Sequence, residues 1–418
     1  MKPIRAIFFL FIVATFAYSL ESKGQSSNEL NGIVLDESGK DPIANANIYL
    51  KGSHLGTISN SDGKFSIKIP KDYLDGVLVF SSIGFDVLEI AISDFSFDDK
   101  ELKIILKNSI YVLNPVQVYN SHLILKEAIN KIPVNYPEEF QGFTAFYREV
   151  IKKNKSYVDI SQGILNISKT PYSNTGKKYF RERDRISVRK GHRITNYSKR
   201  DTLAFKVMGG PYTMMLLDIV KNPGVVLGAA YFEHYEYGFE GIEIIDGRRS
   251  YILSFKEKLE ADVALYEGKI YVDEETLAIA GLKFSMPDES LWLMKDNLIQ
   301  DKPSSSVLTP KKLAYEVRYR ESGGKWFLDY VRNDIVMKVN WSRRLFNSTF
   351  NATTELVVTD KRPVEDQLVK YDAKMSTRYQ DLFSDQVYEL QNSEYWEDFS
   401  IIRPEDDLKK VLSQIAKN

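Results

Sequence analysis

The chain has no cysteine, only four histidines in 418 residues, and no apolar run of membrane-spanning length after its first residues. Each shortage removes a class of function. Without cysteine there is no disulfide, no thiol nucleophile, no thiolate metal centre and no lipidated cysteine behind a bacterial signal. Stability has to come from apolar cores. The histidines His54, His122, His192 and His234 are scattered, and none has a glutamate three residues later. A zinc peptidase site needs two histidines and a glutamate, with the first pair close in sequence. His234-Tyr235-Glu236 has the wrong spacing, so no metal and no cofactor is expected. Also missing are a Gly-x-Ser-x-Gly elbow, a phosphate-binding Gly-Lys-Ser/Thr loop and a His-Glu-x-x-His pair. No catalytic residue is therefore assigned. The acidic pair Asp273 and Glu275 falls in a turn pattern, where acidic residues serve conformation.

Net charge is also low, at −1. Lys2, Arg5 and Lys23 against Glu21 give residues 1–24 a charge of +2, so residues 25–418 carry −3. That balance gives no global reason to expect nucleic acid.

What is present begins with a secretory pattern. Lys2 and Arg5 precede the uncharged apolar run Ala6–Tyr18, and Ser22 and Gly24 suit a cut before Gln25. A cut after Ser19 is the alternative. The run is shorter than the ~20 residues of a spanning helix. The expectation is a signal over residues 1–24, export to the periplasm or outer membrane, and no transmembrane span once the signal is removed.

Short strands separated by turns follow from about Asn28 to Lys107: Leu30–Leu35, Ala46–Lys51, Thr57–Ser59, Phe65–Ile69, Val77–Phe80 and Leu102–Leu106. Phe65, Ile67 and Ile69 alternate with Ser66 and Lys68, which buries one face. Asp62-Gly63 supplies the positive φ of a tight turn. This spacing predicts a β-sandwich. Four segments in order carry a resemblance: Asn31-Gly32-Ile33-Val34-Leu35-Asp36, Pro42 to Ile48, Gly56 to Phe65, and Ser82-Ile83-Gly84-Phe85. They resemble the carboxypeptidase regulatory-like family. The resemblance implies a transthyretin-like fold and an accessory or docking module. In Bacteroidetes such domains precede TonB-dependent receptors and other envelope proteins.

An apolar connector with Pro115 spans residues 108–120. Ser121 then has the character of an N-cap, and Ile124, Leu125, Ala128, Ile129 and Ile132 form one helical stripe. Long strands come next. Phe143–Lys152 and Ser156–Lys169 form a hairpin, and Tyr179–Arg189 is a third strand. Tyr231–Ile245 pairs with Ser250–Lys256 across Asp246-Gly247. Gly268–Val272 pairs with Ala278–Met286, and Leu313–Arg320 with Lys325–Val339, before Phe350–Thr359. The overall expectation is mainly β: the N-terminal β-sandwich, then an α+β domain over 121–360 with a curved antiparallel sheet and a few helices. Residues 361–418 are expected to be a helical C-terminal segment, with Asp407–Ala416 amphipathic.

Residues Ser121–Ile129 together with Phe146-Tyr147-Arg148-Glu149 resemble the start of a Bacteroidetes envelope family that also carries a regulatory-like domain first. Members of that family often end in an outer-membrane barrel, for which this chain has no room. Gly268-Lys269-Ile270-Tyr271-Val272-Asp273-Glu274-Glu275-Thr276 is similar to a hairpin of lipoprotein-carrier folds of the LolA/LolB kind.

Two stretches stand out as contact candidates. Arg181, Arg183 and Arg185, spaced by two, share one strand face and suit an anion; a charged strand edge is the plainer explanation. Met208–Val226 predicts one short apolar helix across the sheet. Its Met214, Met215, Leu216 and Leu217 suit an apolar ligand or an envelope-protein partner, or else fill the sheet's concave side. The function expected is that of an exported, non-catalytic cell-envelope binding or scaffold protein. The alternative is a periplasmic hydrolase with an unrecognised carboxylate site.

Overall fold

The structure is a computed structural model. It describes residues 28–97, 99–109, 119–172, 184–195, 210–258, 265–294, 306–341, 347–362, 376–378, 381–388 and 399–415. The expected signal and most of the connector lie outside these residues.

The first seven strands are β1 (Asn28–Leu35), β2 (Asn47–Leu50), β3 (Gly56–Ile58), β4 (Lys64–Ile69), β5 (Val77–Ser81), β6 (Leu88–Ala91) and β7 (Leu102–Ile105). They form a three-stranded sheet, β4-β1-β7, and a four-stranded sheet, β3-β2-β5-β6. Leu30, Val34, Phe65, Ile67, Ile69 and Ile104 from one sheet share a core with Ile48, Leu50, Leu78 and Phe80 from the other. Apolar residues alternating along β1 and β4 thus produce the sandwich. β6, half-exposed throughout, carries too little alternation to be read from sequence.

The third sheet has ten antiparallel strands: β8 (Gln141–Lys153), β9 (Ser156–Lys169), β10 (Arg185–Thr195), β11 (Tyr235–Ile245), β12 (Arg248–Glu257), β13 (Glu267–Asp273), β14 (Ile279–Ser285), β15 (Ser306–Ser322), β16 (Lys325–Trp341) and β17 (Ser348–Arg362). Their order is β10-β9-β8-β17-β16-β15-β14-β13-β12-β11. A meander runs from β11 to β17, and β17 then pairs with β8, which joins the earlier β8–β10 strands to the sheet. The β11–β12 turn has Asp246 at φ 48° and Gly247 at φ 78°, the two positive values a two-residue hairpin of this hand requires. Register shifts interrupt six of the pairings, including Phe239/Gly241 and Arg318/Tyr319. Such bulges raise local twist and help this sheet to curve.

Both faces of the sheet are covered near its middle. The described helices are α1 (Ser121–Asn130), α2 (Ile132–Asn135), α3 (Gly210–Leu216), α4 (Gly224–Leu227), α5 (Phe383–Tyr388) and α6 (Asp406–Ile415). Phe143, Ala145 and Tyr147 of β8 pack in one core with Leu125, Ala128, Met214, Met215 and Leu227. Phe146, pointing the other way, packs with Ile164, Tyr330 and Val357, with Ile58 of the sandwich, and with Phe399 and Ile402. This double cover explains why Gly142 to Ile151 is buried without a break, where an antiparallel strand with one wet face would alternate.

Both outer strands are also capped by the chain itself. On β10, Thr377 donates its amide to the Ile186 carbonyl at 2.9 Å. α5 lies against the same strand, and a Cβ at Gly191 would meet the Val387 side chain at 2.2 Å. On β11, Ser121 Oγ donates to the Tyr237 carbonyl at 3.0 Å, and Gly84 of the sandwich approaches the Ile244 carbonyl at 3.5 Å. Edge groups satisfied in this way do not recruit another strand.

Residues 399–406 strap the sandwich to the sheet. Ile401 bridges Ser66 of β4 and accepts from Thr57 Oγ1 at 3.0 Å; Asn60 Nδ2 donates to the Arg403 carbonyl at 2.9 Å. Asp406 pairs with Lys64 at 2.8 Å. On the sheet side, the buried Arg148 guanidinium contacts Glu355 at 2.6 Å and Glu405 at 3.0 Å. The sandwich also meets the sheet directly. Arg320 pairs with Asp329 at 3.0 Å and lies over the Tyr49 ring at 4.6 Å, while Asn47 donates to Asp246 at 3.0 Å.

Several local expectations shift. The cap of α1 is Asn120, whose side chain accepts from the Leu123 amide at 3.1 Å; Ser121 is taken by the β11 edge. The strand expected over Tyr179–Arg189 is seen from Arg185 to Thr195. Strand β11 begins at Tyr235, after a 3-10 turn at Phe232–His234. The helix expected within Met208–Val226 is two short helices. Asp218 turns the chain between them: its carbonyl accepts from the amides of Lys221 and Asn222, and Pro223 and Gly224 then restart the coil. Of residues 361–418, the described ones hold α5 and α6, the end of β17 at Arg362 and the extended strap over 399–405; residues 363–375 and 389–398 lie outside the described residues. Among the described residues, no helix is long and apolar enough to cross a membrane.

Candidate functional site

α1 carries two stripes. Leu125 and Ala128 are buried against the sheet. His122, Lys126 and Ile129, spaced four and three, lie on the neighbouring stripe and line an open cleft with Asn130 and Ile132. The facing wall comes from α4 and the turn after it: Pro223, Leu227, Ala229, Phe232 and Glu233. The cleft has a volume of about 430 Å³. That lies within the ~300–1,000 Å³ of small-molecule pockets. Its apolar lining includes Ile129, Ile132, Leu227 and Phe232.

Aromatic packing holds the mouth. The Phe232 ring meets the edge of His122 at 4.9 Å and lies 4.9 Å from Tyr237, which is 6.0 Å from His122. His122 Nε2 stands 3.5 Å from Glu233 Oε1, joining the two walls. Both side chains are exposed, so this pair is worth at most about 1 kcal/mol. The Lys258 ammonium donates to the Glu233 carbonyl at 2.6 Å. Lys126 makes no ion pair among the described residues.

The residues singled out from sequence lie elsewhere. Met214 and Met215 are 1% and 4% exposed in the main core, whereas Leu216 is 43% exposed. Leu217 packs half-buried against that core. None of the four lines this cleft. Arg181 and Arg183 lie outside the described residues. Arg185 is exposed at the start of β10, opposite Ser168. Asp273 is buried and bonded to Arg248 at 2.7 Å and to the Thr276 amide at 2.7 Å. Burial opposes its ionisation, but those bonds outweigh it and hold its pKa below the usual carboxylate value. Glu275, 82% exposed, meets the same arginine at 3.0 Å. The pair is built into the β13–β14 turn.

Two buried charge clusters were not legible in sequence. In the first, Lys169 and Lys221 alternate with Asp184 and Asp218 beneath α3. Lys169 bonds Asp218 and lies 3.5 Å from Asp184; Lys221 bonds Asp184. Tyr319 donates to Asp218 at 2.7 Å. Burial, and then Lys169, pull Lys221 down to about 8. Burial alone would raise Asp184, but the two ammonium groups bring it to about 2. With every charge matched, the cluster pins the Asp218 turn to β9 and β15. In the second, Glu149 accepts from Tyr147 at 2.5 Å and is pushed up to about 7 by burial. Among the described residues, no group of three or more histidines or acids has a geometry that holds a metal.

Comparisons with known proteins bear on the sandwich. Over 109 residues, the chain is 28% identical to the TonB-dependent receptor SusC of Bacteroides thetaiotaomicron, covering 26% of this chain and 10% of the receptor. Over 78 residues, it is 33% identical to the TonB-dependent receptor P39 of Formosa agariphila, covering 19% and 7%. The chain thus spans a tenth or less of these relatives' length. Among solved structures, a DUF1329 family protein from Desulfovibrio piger aligns over 58% of this chain and 91% of its own, at 14% identity and a TM-score of 0.24. A LolA superfamily protein from Nitrosomonas europaea aligns over 59% and 97%, at 12% identity and a TM-score of 0.21. Residues 30–118 match the family model of the CarboxypepD_reg-like domain, and the N-terminal sandwich is a domain of that family.

Proposed function

We propose that this chain is an exported, non-catalytic binding protein of the bacterial cell envelope. Its sheet domain holds a small apolar ligand between α1 and the Pro223–Glu233 segment. The observation that carries this reading is the cleft of about 430 Å³ with Ile129, Ile132, Leu227 and Phe232 in its lining. These apolar groups face an open cleft, as expected where a ligand completes the packing. The sandwich, of a family also found in TonB-dependent receptors, supports the envelope assignment. The strap and the stacking of Arg320 on the Tyr49 ring support a bracing role for the sandwich against the sheet domain. Asp329, also raised by burial, is paired with Arg320, which leaves the hydrolase alternative the carboxyl of Glu149. That carboxyl is buried against Tyr147 and does not line the cleft.

The test is a titration with the neutral fluorophore N-phenyl-1-naphthylamine. Saturable binding to one site is expected, and Phe232→Asp should abolish it while leaving the melting temperature within a few degrees. A binding curve unchanged in Phe232→Asp, or no saturable binding to the native protein, would remove this reading.

A further inference from the structure

From the charges at the cleft mouth, and resting on the reading of the cleft as an apolar ligand site, we infer that its ligand is a small amphiphile with one negative charge on its head, held by Lys126. Three observations converge. The first is volume. About 430 Å³ suits one small amphiphile, within the ~300–1,000 Å³ of small-molecule pockets. The second is the placement of polarity. The lining divides between apolar side chains, Ile129, Ile132, Leu227 and Phe232 among them, and the polar His122, Lys126, Asn130 and Glu233. A chain with one polar end matches that division; a uniformly apolar molecule leaves the polar side unused.

The third is the sign of the charge. The one acid among the described lining residues, Glu233, stands 3.5 Å from His122. The Lys258 ammonium lies on the carbonyl of the same glutamate at 2.6 Å. Lys126, one helical turn from His122, makes no ion pair among the described residues. A carboxylate or other monoanionic head at the mouth gives this ammonium its partner. A cationic head meets two lysines instead.

The experiment displaces bound N-phenyl-1-naphthylamine with decanoate, decanol or decylamine at pH 8. An exposed ammonium–carboxylate pair supports a preference of roughly fivefold for decanoate over decylamine. Lys126→Gln should erase that preference and Lys126→Glu should reverse it, with decanol unchanged in both. High salt should shrink the preference in the native protein. If all three compounds displace equally, the head-group assignment is wrong while the apolar cleft stands. If decanoate is preferred equally in native protein and Lys126→Gln, Lys126 is not the contact and the inference fails. If the fluorophore is not bound, or no compound displaces it, the cleft reading and this inference fall together.

Discussion

Glu149 offers the sharpest physical test of the sheet's interior. It sits on β8 at 6% exposure, accepting from the Tyr147 hydroxyl at 2.5 Å. Burial raises its pKa to about 7 from the ordinary glutamate value of 4.5; Asp159 and Asp385 add to the rise, and the Tyr147 bond and Arg193 oppose it. The folded protein therefore holds this proton to higher pH than the unfolded chain does. The group's contribution to stability is complete below the unfolded pKa of about 4.5 and is lost as pH rises through about 7. At 1.36 kcal/mol per unit, that loss is about 3 kcal/mol. Glu149→Gln keeps a neutral partner for Tyr147 and cannot ionise. Its unfolding free energy should match the native protein near pH 4.5 and exceed it by about 3 kcal/mol at pH 8. Urea unfolding of both proteins at half-unit steps from pH 4.5 to 8 measures the difference directly. A difference that stays constant across this range would show that Glu149 does not titrate there, and the reasoning from burial would be refuted.

Two further substitutions probe the packing. Met215→Ala removes a buried side chain from the core under α3 and should cost ~2–5 kcal/mol, while Leu216→Asp, one residue on and exposed, should stay within about 0.5 kcal/mol by thermal melting. Arg148→Ala leaves Glu355 and Glu405 facing each other without their guanidinium and should cost about 3 kcal/mol or more. A cost for Arg148→Ala below about 1 kcal/mol in urea unfolding would show that the strap does not depend on this ion pair.

Much of the architecture was written in local pattern. Period-two alternation at Phe65, Ile67 and Ile69, together with Asp62-Gly63, marked the sandwich, and Asp246-Gly247 marked a hairpin with both residues at positive φ. These signals are local, so they survive folding unchanged. What was hidden depends on distant partners. Asn120 and Ser121 are equally good caps by type; Ser121 loses the role because the Tyr237 carbonyl, 116 residues away, claims its hydroxyl. The Met208–Val226 stretch reads as one helix until Tyr319 and Lys169 fix Asp218 in a turn. The strap left no such trace: Ile401 bonds the sandwich through its backbone carbonyl, and Ile401 and Ile402 both pack in the cluster that the sandwich and the sheet share. The cleft did leave a trace. The α1 stripe from Ile124 to Ile132 is wider than one sheet contact needs, and the structure buries Leu125 and Ala128 while turning Ile129 toward the opening. Phe232 and Glu233, taken from sequence as part of a strand, gave no sign that they face that helix.

The most direct measurement is hydrogen–deuterium exchange of the full chain with and without decanoate. A ligand seated in the cleft must slow exchange of the segments that wall it. Protection confined to Asn120–Ile132 and Pro223–Glu233, and abolished by Phe232→Asp, is the result this account predicts. Unchanged exchange in those two segments, or protection appearing instead on the sandwich or the strap, would contradict it.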